Sequence, residues 1–374
     1  MQNVKLDWEE LRQAGQLAFV EQRYEDCEQI WLEALETAKQ NIRDLQEATT
    51  SLDLSILYNT VGQYQQAEAN ITHALELRAR NLGDQSLEVA ECLTALAKNQ
   101  GFQGKVHECE QLYRQALQIK ENLLGPEHVD VADSLQELAN FYASVGNFGE
   151  CEPLMLKALA IKETSAGSVS REVANSLKTL ARIYRKQGRF ADADLFYLKT
   201  LEVKEQLLGN DHEEVAETLR SLANNYSYQG KYAEAEPLYK RSLEIYEKNP
   251  DPDHSEIATN LHNLAVLYYK MSRDGEAAML YRRALELFST VLGTEHPEVA
   301  TTLLSMAKFY EERKKYDKAS TLTNLAVQIY EKNYGPDHKT VGAAIKDLAE
   351  LYAAQGRTIE AEGLRKRAQA ILSS

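Results

Sequence analysis

Several things are missing or scarce in this chain, and each absence narrows the reading. It holds four cysteines and no Cys-x-x-Cys pair, so the ligand spacing of zinc sites and thiol redox motifs is lacking. It carries no excess of positive charge. The formal net charge is −15, against the basic footprint that nucleic-acid or anionic-membrane binding needs. It has no long apolar run near its start, where Asp7, Glu9 and Glu10 stand instead, so neither a secretory signal nor a membrane helix is expected there. GxxxxGK, GxGxxG after a strand, HExxH and GxSxG are all absent, and with them the phosphate cradle, the zinc-protease helix and the nucleophile elbow. We therefore expect a cytoplasmic, non-enzymatic protein without a cofactor.

What is present is a repeat. Gly62, Gly104, Gly146, Gly188, Gly230, Ser272, Lys314 and Gly356 stand 42 residues apart. Self-similarity at such a period is the mark of a solenoid. In one unit Leu261, Leu264, Ala265 and Tyr268 fall on one helical face, a turn follows at Met271–Asp274, and Ala277, Tyr281, Ala284 and Leu285 make a second apolar face. The Leu-Ala pair recurs from Leu96-Ala97 to Leu348-Ala349, and the first-helix tyrosine recurs at Tyr58, Tyr142, Tyr184, Tyr226, Tyr310 and Tyr352. At that spacing these stripes are core. Cys27, Cys109 and Cys151 take the column that holds Ala67, Ala193, Ala235, Ala277, Ala319 and Ala361 elsewhere. Such a column wants a small apolar side chain where two helices approach closely. A punctuated segment separates the repeats: Leu-Gly-Pro-Glu-His at 124–128, Leu-Gly-Asn-Asp-His at 208–212 and Tyr-Gly-Pro-Asp-His at 334–338. Glycine is expected to stop one helix, and His128, His212, His254, His296 or His338 to start the next. The segment Thr164–Arg171 departs from that pattern.

The pattern L-x2-L-A-x2-Y…A-x3-Y…A is close to the tetratricopeptide signature, whereas period alone would also fit HEAT or armadillo arrays. It predicts an all-α, right-handed superhelical solenoid of about nine antiparallel helix pairs over residues 5–372. Repeat one covers about 5–40, with a period of 40 to its neighbour, and repeats two to nine follow at 42. Arg365, Lys366 and Arg367 give the last helix a polar outer face, as a capping repeat requires. The stretch from Leu208-Gly209 through Leu222-Ala223, Tyr226, Gly230, Tyr232 and Glu234-Ala235-Glu236-Pro237-Leu238-Tyr239 resembles the repeats of kinesin light chains and their prokaryotic relatives. That resemblance implies an adaptor holding an extended acidic peptide in its groove. The heptad segment that binds the motor in those proteins is expected to be lacking. It also implies a backbone-binding Asn on the first helix of a repeat, which only Asn263 matches.

In this architecture the first helix of each pair lines the concave face. Asn175, Lys178, Arg182, Arg185 and Lys186 lie there on one helix, the four cations at i, i+4, i+7 and i+8. Lys98, Asn140, Arg220, Asn224, His262, Asn263 and Tyr269 extend the stripe on neighbouring repeats. Clustered cations suit carboxylates, and amides suit a peptide backbone. The expected partner is a protein segment, extended and acidic, with no nucleic acid and no membrane. The plainer alternative pairs these charges with Glu217, Asp133 or Glu137. A rival reading is an assembly subunit, a monomer or weak self-associator, joined through Trp8, Leu11 and Phe19. A light-chain-like cargo adaptor is a further alternative.

Overall fold

A computed structural model describes residues 7–373. Lys5 and Leu6, the first residues expected in repeat one, lie outside them. Among the described residues there are eighteen helices and no strand: nine pairs, each helix short, amphipathic and joined by a tight turn to its antiparallel neighbour. Close packing divides the chain into two compact units, and the division falls between Ile183 and Tyr184, inside one helix.

The first unit holds α1 (Trp8–Val20), α2 (Tyr24–Gln40), α3 (Asp44–Thr60), α4 (Tyr64–Leu82), α5 (Leu87–Phe102), α6 (Val106–Leu124), α7 (Val129–Ser144), α8 (Phe148–Ala166) and most of α9 (Arg171–Lys186). The second holds the end of α9 and α10 (Phe190–Leu208), α11 (Glu213–Tyr228), α12 (Tyr232–Lys248), α13 (His254–Lys270), α14 (Asp274–Val291), α15 (Pro297–Glu312), α16 (Tyr316–Tyr334), α17 (Lys339–Ala354) and α18 (Thr358–Ser373). The 40-residue first period has a local cause. Helix α2 is two residues shorter than α4, its linker to α3 is one residue shorter than the next such linker, and α3 is one residue longer than α5.

Two turn columns fix the helix ends, and they differ in what they demand. Within a pair the turn residue has φ near 60–80°: Gly230 at 76°, Ser272 at 60°, Lys314 at 59°. Those L residues sit in the left-handed region at a modest steric cost. Between pairs the glycine takes φ near 85° and ψ near 160°, as Gly209 does at 85° and 163°. Only glycine occupies that region freely, and Gly83, Gly125 and Gly335 repeat it. The histidines then cap. Nδ1 of His128, His212, His296 and His338 accepts the backbone N–H two residues on, at 3.1–3.2 Å. His254 does not join them. Helix α13 starts one residue early, and Asp253 is its cap, accepting from Ser255 and Glu256. The departing segment at 164–171 keeps the same plan with other residues. Gly167 stops α8 at φ 81°, and the Ser170 hydroxyl accepts from the Val173 N–H at 3.3 Å.

The small column is core, as its residue types require. Cys27, Ala67, Cys109, Cys151, Ala193 and Ala235 are at most 1% exposed, and all four cysteines are free. Burial pushes the Cys27, Cys92, Cys109 and Cys151 thiols up to about 11. Repeat one packs a close approach of its own: a Cβ on Gly15 would stand 2.2 Å from the Trp31 indole. Helix α1 is turned inward. Leu11 is buried, Phe19 stacks on Trp31, and the Trp8 indole N–H donates to Thr50. Of the three residues considered for self-association, Leu11 is thus buried in the fold, while Trp8 and Phe19 are half-buried.

Buried cations on the second helices meet carboxylates of first helices, Lys162 within its own pair, Lys204 and Arg78 across to the next. Lys162 Nζ lies 2.8 Å from Asp133, Lys204 lies 3.3 Å from Glu214, and Arg78 lies 2.9 Å from Glu91. Breaking such a pair strands a buried charge, which costs several kcal/mol, roughly 3–5. In the later repeats the column turns aromatic as Tyr246, Phe288 and Tyr330, with the Tyr330 hydroxyl bonded to Thr301 at 2.9 Å.

Candidate functional site

Consecutive odd-numbered helices touch one another within each unit: α1 with α3 and α3 with α5, then α11 with α13 and α13 with α15. Even-numbered helices show no comparable closeness. The odd helices thus form the inner side of each unit.

Most of the expected stripe is already tied to neighbours. Lys98 Nζ is 2.8 Å from Glu137. Arg220 Nη1 is 2.6 Å from Glu256, its side chain only 14% exposed. Asn224 accepts a hydrogen bond from the Tyr239 hydroxyl at 2.5 Å. Half-buried His262 contacts Thr302 at 3.2 Å through Nδ1 and sets its ring edge-on to Tyr281. Burial lowers its pKa to about 4, so it is neutral at physiological pH. Tyr269 belongs to the core. It is 6% exposed and packs edge-to-face on Phe309, so its assignment to the inner surface is corrected.

The plainer pairing is thus partly realised, by Lys98 of the stripe and by buried lysines of second helices. Glu137 takes Lys98, but Asp133 takes Lys162, and Glu217 stands 3.9 Å from Lys204. The column in which a backbone-binding Asn was expected serves lateral ties instead. Asp53 holds Arg12 at 2.6 Å, Glu137 holds Lys98, and Ser305 faces His262 at 3.5 Å. Asn263 is half-buried in that column.

Helix α9 is different. Asn175, Arg182 and Lys186 are exposed, and neither Arg182 nor Lys186 has an ion pair among the described residues. Lys178 is half-buried and engaged. Arg185 lies over the Tyr228 ring at 5.7 Å, and Tyr228, 69% exposed, stacks on Phe190. Asn140 is exposed on α7.

A second pattern runs through the turns. The residue after each turn glycine is usually Lys or Arg, and it covers the first-helix tyrosine. Arg189 lies 4.4 Å from the Tyr184 ring, Lys231 5.3 Å from Tyr226, Arg273 3.9 Å from Tyr268 and Arg357 3.6 Å from Tyr352. Each is a cation–π contact worth about 0.5–1 kcal/mol at a surface. Around Tyr268 the arrangement closes into a network. Burial alone would raise the Glu236 carboxyl, but hydrogen bonds from Lys240, Arg273 and Tyr268 more than reverse this and hold it at about 2.

Among the described residues no helix is long and apolar enough to cross a membrane. No group of three or more His, Cys, Asp or Glu side chains there is placed to hold a metal ion.

Comparison with known proteins agrees with this architecture. The tetratricopeptide repeat model matches successive overlapping segments, from 47–122 through 130–206 and 214–290 to 298–374. No curated protein matches the sequence. Among solved structures, the crystal structure of BtubC (BKLC) from P. vanneervenii is 22% identical, with a TM-score of 0.54 over 62% of this chain and 92% of that one. The apo form of the quorum sensor NprR from B. thuringiensis is 14% identical, with a TM-score of 0.57 over 87% and 89%. A signal-transduction ATPase with a tetratricopeptide repeat sensor from Pyrococcus horikoshii is 14% identical. Its TM-score is 0.58, over 92% of this chain and 52% of that one. These likenesses are of fold.

Proposed function

Because the chain belongs to the tetratricopeptide-repeat family, we propose that it is a non-enzymatic scaffold that holds an extended, acidic segment of a partner protein against α9. The observation that carries this is the pair Arg182 and Lys186. They are exposed, one helical turn apart, and free of ion pairs among the described residues, while Lys98 and Arg220 on other odd helices are neutralised by carboxylates. Two unpaired cations on one face repel each other, and a carboxylate ligand relieves that repulsion. Arg185 and the exposed Tyr228 ring add a flat cationic and aromatic platform beside Lys186. Asn175, exposed on the same helix, supplies an amide of the kind that bonds peptide backbone. Cytoplasmic residence is part of this reading, and four free, buried cysteines fit a reducing compartment. Being charge-assisted, the complex weakens as salt rises.

The test is affinity capture with the wild-type chain beside Arg182→Glu/Lys186→Glu. The captured partner's acidic segment is then synthesised and titrated at low and physiological salt. Loss of binding in a variant that keeps its helicity supports the reading. Equal affinity in both chains, or an affinity indifferent to salt, sinks it.

A further inference from the structure

Repeat eight breaks the charge pattern of its neighbours at one turn. In four other repeats the cation that opens the second helix is answered by an acid three residues on, and Lys105 and Lys231 are answered by Glu68 and Asp194 of the preceding repeat. Arg23 lies 2.6 Å from Asp26, Arg189 2.7 Å from Asp192 and Arg273 2.5 Å from Glu276, and Arg357 pairs with Glu360. In repeat eight the opening cation is Lys315, and the residue three on is Lys318, so the answering acid is replaced by a second positive charge. The turn position just before, glycine in most repeats, is Lys314, held at φ 59°. Both departures therefore add a cation to the same turn, and one of them takes a backbone conformation that L residues adopt only at a cost.

The three ammonium groups are exposed, and none is within ion-pair distance of a carboxylate among the described residues, although Asp274 feels the charge of Lys315 from farther off. Arg313 beside them is bound to Asp274. Asp317, the one acid in the turn, accepts from the Gln355 amide at 3.1 Å. Lys315 and Lys318 approach the Tyr310 ring from 6.0 and 5.6 Å, which gathers their charges on one side of the turn. The open cleft here, about 570 Å³, is lined by Lys314, Lys315, Tyr316, Asp317, Lys318 and Gln355. Cations clustered at the start of α16 also oppose the helix dipole. In a chain of net charge −15 such a cluster is a local reversal of sign.

We propose that the Lys314–Lys318 turn is a second docking point, for a carboxylate-rich segment of a protein partner. Charge complementarity carries it: three unanswered ammonium groups around an open cleft match closely spaced Asp or Glu side chains, and their mutual repulsion falls when such a segment binds. The site stands independently of the α9 reading.

The test uses the full chain and fluorescein-labelled octaglutamate, followed by anisotropy at low and physiological salt. The informative variant is Lys314→Gly/Lys318→Glu. It restores the residue types that other repeats carry, so its fold is expected to be at least as stable as wild type, checked by denaturant melting. Arg182→Glu/Lys186→Glu is the parallel control. The expected result is binding to the wild type that is roughly tenfold weaker in Lys314→Gly/Lys318→Glu, with a shallower salt dependence, and retained in the α9 variant. Equal affinity of wild type and Lys314→Gly/Lys318→Glu overturns the proposal, and if the α9 variant alone loses binding the α9 reading stands without it. A wild-type chain that ignores octaglutamate but takes up anionic phospholipid vesicles overturns it in favour of a membrane surface.

Discussion

The hydroxyl of Tyr239 donates to the amide oxygen of Asn224 at 2.5 Å, and one repeat later Tyr281 makes no such bond because Val266 stands where Asn224 would be. Tyr281 is fully buried, so its hydroxyl has lost water without gaining a partner. Val266→Asn should supply the acceptor and stabilise the chain by about 0.5–1.5 kcal/mol. Tyr281→Phe, which removes the orphan, should be neutral or mildly stabilising, whereas Tyr239→Phe should destabilise. Denaturant midpoints at constant slope decide this. A Val266→Asn chain weaker than wild type would show that the two repeats do not share the geometry.

The two turn columns predict opposite tolerances. Gly209→Ala forces an L residue to φ 85° and ψ 163° and should cost roughly 1–3 kcal/mol. Gly230→Asn keeps φ near 76°, in the region that asparagine visits, and should cost less. Ser272→Gly should be tolerated outright. Equal losses at Gly209 and Gly230 in thermal melts would contradict the distinction.

The histidine caps work through an acceptor nitrogen, not through charge. His212→Ala removes the acceptor for the Glu214 N–H and should cost about 1 kcal/mol, while His212→Asp retains one and should cost much less. If both variants unfold at the same denaturant concentration, the 3.1 Å contact contributes nothing.

His262 makes folding pH-dependent. Burial holds its pKa at about 4, below the ordinary imidazole value of about 6.5, so the unfolded chain takes up the proton first as pH falls. Its contribution to stability is whole above about pH 6.5 and is lost as pH drops through the window down to about 4. Wild type should therefore lose more stability than His262→Gln between those pH values. Parallel stability profiles for the two chains would exclude the effect.

Much of this was written in local sequence. The helix pairs, their turns and the core stripes follow from apolar spacing and from glycine at fixed intervals, because helix periodicity and backbone sterics act over a few residues. Cys109 in an alanine column announced a close helix contact for the same reason, and the histidine caps need only a neighbour two residues away. The shifted cap at Asp253 was hidden because a one-residue change in helix start leaves the 42-residue register of His254 intact.

What tertiary structure decided is which charged and polar groups are available. Lys98, Arg182 and Arg220 read alike in sequence. Only the packing of α5 beside α7 and of α11 beside α13 gives Lys98 and Arg220 their carboxylates and leaves Arg182 exposed. The place of Tyr269 on its helix points to the inner surface, but Phe309 of the next repeat shelters it in the core. Sequence sets where a side chain leaves its helix. Whether it then meets solvent, a counter-charge or a ring depends on residues some 40 positions away, and on the angle at which one repeat stacks upon the next.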